Sequence, residues 1–334
     1  MNILVSRTDR AGDLILTLPV IRELRKAFPD AHIVAHVRKY TASIAKLCRE
    51  ADEIILDDDY DQGLISNSLC NCFKDHNFDR AVIVHPAGRS IIAAWRAEIP
   101  IITGRASNIF QFLLNDGRLQ KRSYNKKHEF EYNLELLEGI VPDIEYKPYH
   151  FELKESLVKE GGVYLEQMGL EDSPIIIHPG HGGSAYNISP EMYAKIASRL
   201  IGSGRTVIVS LGPGEESMEE YFFTLKESGQ IFFLKNIPTF DKLACIFANC
   251  KAFIGGSTGP LHLAASIGLP SVAFFPPVKA MTPDRWGPVG CEKLIVKPDV
   301  PACSGKCAKC KYINCMKNID LMPVFDWLSS TVSR

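Results

Sequence analysis

Two series of short, uninterrupted apolar runs, each run followed by a stretch of helical periodicity, constrain this 334-residue chain more than any other feature. In the first half, residues 2–6, 32–37, 53–56 and 80–84 read as strands, with helices over 13–27 and 41–49. Strands apolar on both faces belong to parallel sheets covered by helices on both sides, the α/β class. The alternation stops near residues 141–148, where Pro142 and Pro148 interrupt it, and then restarts. Strands are expected over 175–178, 206–211, 231–234, 252–255 and 271–275. Helices are expected over 189–201, from about Glu215, and over 259–267. The chain is long enough for two doubly wound domains. We assign 1–148 to the first, 149–318 to the second with its Cys-rich segment 303–315, and 319–334 to a terminal amphipathic helix. Ligands of such sheets bind beyond the carboxyl ends of the strands, so two domains facing each other are expected to enclose a cleft.

Charge removes several function classes. Lys and Arg total 38 against 39 Asp and Glu, which lacks the cationic excess of a nucleic-acid binder. No apolar run reaches the roughly 18–20 residues of a membrane span, and the first residues meet charge too early for a signal peptide. A cytoplasmic location is therefore expected.

Four loops after predicted strands carry the candidate chemistry. Gly255-Gly-Ser-Thr-Gly-Pro260 runs from a strand into a helix, with glycines for close backbone approach and free N–H groups at the helix start. Two readings stay open: a diphosphate cradle, or an ordinary helix start capped by Thr258. His178-Pro-Gly-His-Gly-Gly-Ser184 offers His178, His181, Ser184 and the backbone of residues 180–183 to an anion. Gly212-Pro-Gly-Glu215 places Glu215 where a carboxylate can accept from ribose hydroxyls. It is a poor dinucleotide fingerprint, since Ser217 stands at the third glycine position and the next strand ends without an acid. No Walker-type loop occurs. Finally, Ser6-Arg-Thr-Asp-Arg-Ala-Gly-Asp13 puts Asp13 at a helix start, either as an N-cap or as a general base with Gly12 keeping its approach open.

In this order the loops resemble glycosyltransferase family 9, the bacterial ADP-heptose heptosyltransferases. Residues 1–24 are similar to that family's opening strand, turn and helix. His128-Glu-Phe-Glu131 resembles its His-x-x-Glu segment and Gly212-Pro-Gly-Glu215 its Gly-Pro-x-Glu turn. Ser257-Thr-Gly-Pro-Leu-His-Leu-Ala-Ala265 is close to its Asp-Thr-Gly-x-x-His-x-x-Ala-Ala signature, and Asp284-Arg-Trp-Gly-Pro288 matches a later loop. The resemblance implies a GT-B fold of two facing Rossmann-like domains and metal-free, inverting transfer of a heptose from ADP-heptose. It implies Asp13 as catalytic base, with Gly180, His181, Glu215, Ser257, Thr258, Gly259 and His262 on the donor. The acceptor it implies is lipopolysaccharide core or a protein, with peripheral contact to the inner membrane. Two positions depart from the pattern: Ser257 replaces the usual Asp, and Tyr186 the usual Lys. Arg7, Arg10 and Arg285 are the other cations close to these loops in sequence. Alternatives are a different nucleotide sugar, or a nucleotide-sugar-binding protein that has lost catalysis.

Cys303, Cys307, Cys310 and Cys315 lie within thirteen positions, among Lys306, Lys309 and Lys311, which favour thiolates. A structural Zn or Fe on four thiolates is one reading; reduced, unligated cysteines are the other. In the first half Arg38, Lys39, Arg89, Arg105, Arg118, Lys121, Arg122, Lys126 and Lys127 form a cationic set suited either to solvent or to a phosphorylated acceptor.

Overall fold

The computed structural model describes residues 1–170, 172–183, 186–307, 310–312 and 314–332. Contacts divide the chain into Met1–Tyr149 and His150–Arg334. The first unit carries β1 (Asn2–Arg7), β2 (His32–Val37), β3 (Glu53–Leu56), β4 (Arg80–Ile83), β5 (Ile101–Arg105) and β6 (Asp116–Arg118). The second carries β7 (Ile175–His178), β8 (Val207–Leu211), β9 (Ile231–Lys235), β10 (Ala252–Gly256), β11 (Ser271–Phe274) and β12 (Lys293–Val296). Every pairing is parallel, in the orders β3-β2-β1-β4-β5-β6 and β12-β11-β10-β7-β8-β9. Numbered from its own first strand, each sheet is 3-2-1-4-5-6, the Rossmann order. β5, β6 and β12 lie outside the runs the sequence singles out. β6 is Asp-Gly-Arg at a sheet edge, without an apolar residue to mark it.

The central strands are closed to water: Leu4, Val34 and Ala81 are paired neighbours and fully buried, as are Ile176, Ile208 and Phe253. Helices α1 (Ala11–Ile15), α2 (Leu18–Ala27), α3 (Ala42–Lys46), α4 (Asn67–Asp75), α5 (Gly88–Arg96) and α6 (Glu129–Leu134) belong to the first unit. Those of the second are α7 (Glu155–Gln167), α8 (Pro190–Gly202), α9 (Phe240–Phe247), α10 (Gly259–Ser266), α11 (Pro283–Trp286) and α12 (Met322–Thr331). The terminal helix is not a separate layer. Val324 and Leu328 of α12 are buried in one core cluster with Val272, Phe274 and Val296.

Two helix expectations need correction. The single helix over 13–27 is two helices, broken at Leu16-Thr17. Pro19 has no N–H to give the Ile15 carbonyl, and its ring crowds that turn. The first helix also begins earlier, at Ala11 with Arg10 at the cap position, so Asp13 sits inside its first turn rather than before it. The helix expected from Glu215 is a run of 3-10 turns, Glu216–Ser228, stopped by Gly229 at φ 67°. Its aromatic and β-branched stretch, Tyr221-Phe-Phe-Thr224, is a weak α-former. Among the described residues no helix is long and apolar enough to cross a membrane.

Candidate active site

In a sheet of this order ligands gather where the winding reverses, between the first and fourth strands. In the first unit that is the gap between the loop after β1 and the loop after β4. Arg7, the last residue of β1, is 4% exposed, and its guanidinium ties that loop together. Nε donates to Asp9 Oδ1 at 2.6 Å, and Nη2 donates to Asp9 Oδ2 at 2.9 Å and to Asp13 Oδ1 at 2.5 Å. Burial pushes the Asp13 carboxyl up to about 6, against the pull of Arg7; the charges of Asp9 and Glu129 push the same way as burial. A carboxylate so placed is ionised at neutral pH yet far more basic than an exposed Asp, which suits a general base. Its folded-state value lies above the ordinary one, so ionisation costs the fold above about pH 6 and the cost vanishes below the unfolded value. Asp13 Oδ2 makes no hydrogen bond among the described residues.

The loop after β4 supplies His85, whose Nδ1 stands 3.3 Å from Asp9 Oδ2; burial lowers its pKa. The His128-Glu-Phe-Glu segment lies at the start of α6. His128 Nδ1 accepts from the Phe130 N–H, and Glu131 Oε2 accepts from the His128 N–H at 2.6 Å, a capping box with His in the usual Ser or Thr place. One turn on, Asn133 Nδ2 donates to the Leu16 carbonyl at 2.9 Å, satisfying the break after α1. The structure also sorts the cationic set. Arg122 is buried against Glu129, Arg89 donates to Asp57 at 2.8 Å, and Arg38 pairs with Asp58 at 2.8 Å, whereas Lys121 and Lys126 are exposed. Arg7, tied to two carboxylates of its own loop, is not a spare cation for a diphosphate.

In the second unit the reversal lies between β7 and β10, and there the site is built of backbone. Gly180 and the turn through Gly182 and Gly183, at φ 49° and 68°, follow β7. Glu215 Oε2 accepts from the Gly212 N–H at 2.8 Å and Oε1 from the Gly182 N–H at 3.3 Å, so this carboxylate laces two loops together. A Cβ on Gly180 would overlap the Glu215 carboxylate, which is why that position is glycine. His178, buried beneath, donates from Nδ1 to the Ser210 carbonyl at 3.0 Å, and burial keeps its pKa low. His181 Nδ1 accepts from the Gly183 N–H at 3.1 Å.

Across the reversal, Thr258 precedes α10 in extended conformation, and its hydroxyl donates to the Gly256 carbonyl at 3.4 Å. It makes no side-chain cap, so of the two readings of this loop the hydroxyl-capped start is not the one formed. The first-turn N–H groups of Gly259 and its neighbours carry no side-chain acceptor from the cap position. Ser257 is half-buried beside them, and His262 is 5% exposed one turn in. Asn187, unremarked in the sequence, holds the two loops in place. Its Nδ2 donates to the Pro179 carbonyl at 3.2 Å, and its Oδ1 accepts from the Tyr193 hydroxyl at 2.8 Å and from the Ile188 N–H at 2.9 Å. A Cβ on Gly256 would lie 2.8 Å from the Asn187 amide. Ser184, proposed as an anion contact, lies outside the described residues.

Tyr186, at the position of the expected Lys, is 47% exposed and donates from its hydroxyl to the Gly305 carbonyl at 3.4 Å. Cys303, Cys307, Cys310 and Cys315 line one pocket of about 800 Å³ with Tyr186 and Pro277. All ten cysteines are free thiols. Burial, and then the neighbouring cysteines, raise the Cys315 thiol. As arranged the four do not make a coordination shell: among the described residues no three His, Cys, Asp or Glu are grouped to hold a metal ion. Lys309 lies outside those residues.

The family model for glycosyltransferase family 9 (heptosyltransferase) matches residues 67–315. A candidate glycosyltransferase of Haemophilus influenzae is 31% identical over 301 residues, 86% of each chain. Lipopolysaccharide heptosyltransferase 2 of Escherichia coli is 24% identical, covering 89% of this chain and 88% of that one. The solved structure of E. coli ADP-heptose lipopolysaccharide heptosyltransferase II superposes with a TM-score of 0.83 at 20% identity, covering 100% and 99% of the two chains. That likeness identifies the fold as GT-B.

Proposed function

From its membership of glycosyltransferase family 9, to which this chain belongs, we propose that the protein is an inverting heptosyltransferase moving a heptose from ADP-heptose to a hydroxyl of lipopolysaccharide core. The observation that carries the reading is Asp13, held by Arg7 at the winding reversal of the first sheet with one oxygen free of hydrogen bonds and a carboxyl pushed up to about 6. In inversion the acceptor oxygen attacks the anomeric carbon, its proton passes to Asp13, and the sugar–phosphate bond breaks with its electron pair leaving on ADP. The diphosphate must be stabilised without the usual Lys. The N–H groups of Gly259 and Leu261, the glycine turn after β7, and the hydroxyls of Ser257 and Thr258 take that role, and His181 and His262 flank it. Glu215 holds the two donor loops in register; a ribose hydroxyl donates to the lone pairs its backbone partners leave open.

Release of ADP from ADP-heptose, with core lipopolysaccharide as acceptor and UDP- and GDP-sugars as controls, tests this reading. Asp13→Ala is expected to lower turnover by about 10²–10⁴. Equal turnover with another nucleotide sugar, or wild-type turnover in the variant, rejects donor or base respectively. On the four clustered thiols, which as arranged form no coordination shell, we also propose a structural Zn or Fe, outside the reaction, whose binding draws them together. One equivalent of metal in freshly purified protein, lost in Cys307→Ser, is expected; an empty site under anaerobic purification rejects it.

A further inference from the structure

Beyond the carboxyl end of β2, the neighbour of β1 in the first sheet, stands an aromatic side chain that neither the core nor the proton transfer uses. Tyr40 lies in the turn Lys39–Thr41 and is 52% exposed. Its hydroxyl donates to the Asp9 carbonyl at 2.9 Å, and the Ala11 N–H interacts with the same oxygen. The side chain therefore bridges the turn that opens α1, two residues ahead of Asp13. Burial, and then the charges of Asp9 and Asp13, raise its pKa, so at neutral pH the phenol keeps its proton, and that proton is committed to a carbonyl. Tyr40 is thus neither acid nor base; what it offers is the face of its ring.

A lone exposed aromatic is ordinary on a protein surface; this one is held. Asp58 accepts from the Lys39 N–H at 2.6 Å and from Arg38 Nε at 3.0 Å, and the Thr41 hydroxyl donates to the Arg38 carbonyl at 3.0 Å, so the turn is fixed on both sides of Tyr40. With its far end tied to the Asp9 carbonyl, the side chain has given up its rotamer freedom before any ligand arrives. The face of an aromatic ring carries negative charge density. One face of a pyranose is a patch of C–H groups polarised by the ring and hydroxyl oxygens. A ring fixed beside a general base suits a sugar whose hydroxyl gives up the proton.

We propose that Tyr40 is a stacking platform for the acceptor, taking the apolar face of the sugar whose hydroxyl is presented to Asp13. The identity of that acceptor rests on the transfer reading. Calorimetric binding of deacylated core oligosaccharide, with transfer kinetics beside it, tests the platform. Tyr40→Leu keeps an apolar side chain without a π-face. It should weaken oligosaccharide binding about tenfold and raise the acceptor KM to match, with kcat within about twofold, because stacking is equal in ground and transition states. ADP affinity should not move, nor should the rate limb near pH 6 set by Asp13, which a mere loosening of the Asp9 turn would shift. Tyr40→Phe keeps the ring and should bind within about threefold of wild type. Oligosaccharide binding in this order without transfer from ADP-heptose upholds the platform and rejects the transfer reading alone. Wild-type binding by Tyr40→Leu, a loss in kcat rather than in KM, or no oligosaccharide binding by the wild type overturns the proposal. So does Tyr40→Phe binding as weakly as Tyr40→Leu, which assigns the side chain to holding the turn.

Discussion

The two sheets have one topology, yet the loops beyond their winding reversals are made of different materials. In the first unit the loop after β1 is a lattice of charged side chains, with Arg7 gripping Asp9 and Asp13 and His85 reaching Asp9 from the next loop. In the second the corresponding loops are glycine and backbone N–H, laced by Glu215 and Asn187. A charged lattice tunes a proton affinity; a backbone cradle accepts an anion without titrating near neutrality. On the proposed reading, the same scaffold serves proton transfer in one unit and diphosphate binding in the other.

The sharpest way to break this contrast is to remove the cation at the centre of the first site. Arg7→Ala strands two carboxylates in a largely buried loop, and a loss of about 3–5 kcal/mol in denaturant stability is expected, with transfer lost as well. A stability within 1 kcal/mol of wild type would mean that the lattice is solvent-screened and not structural. In the second unit, Asn187→Ala leaves the buried Tyr193 hydroxyl without its acceptor. A loss of about 2 kcal/mol is expected, read from the urea midpoint.

A smaller change should separate binding from folding. Gly180→Ala displaces the Glu215 carboxylate, and nucleotide affinity measured calorimetrically should fall about tenfold while stability moves little. Because the clash is with a flexible side chain, adding Glu215→Ala should lessen the further damage done by Gly180→Ala, a non-additivity that a double-mutant cycle reads. The smallest expected effect is on pH. The transfer rate should fall tenfold per unit as Asp13 is protonated below about pH 6. Asp9→Asn removes a like charge and should move that limb down by less than about one unit. A shift upward would contradict the electrostatics proposed for this loop.

The sequence made most of this fold legible because the central strands are continuous apolar runs, which periodicity reads well. It was silent where structure depends on partners far along the chain. The edge strand β6 is held by its neighbour rather than by its own residues. The break ahead of Pro19 was readable from the proline alone, whereas the helix start at Ala11, which puts Asp13 inside α1, was not. Among site residues, Asp13 and the glycine loops stood out because each follows a strand. Asn187 did not, since its partners Pro179, Tyr193 and Gly256 come from different elements. His85 directly follows a predicted strand, which is a usable signal. Arg7 was visible as a cation, but its fork between Asp9 and Asp13 appears only in three dimensions.

One paired measurement bears most directly on the division of labour between the units: ADP affinity and single-turnover transfer in Asp13→Asn. ADP affinity within about twofold of wild type, transfer reduced about 10³-fold, and a melting temperature that does not fall are predicted, because the ionised carboxylate costs the fold at neutral pH. Transfer near the wild-type rate, or ADP binding lost together with transfer, would contradict the account.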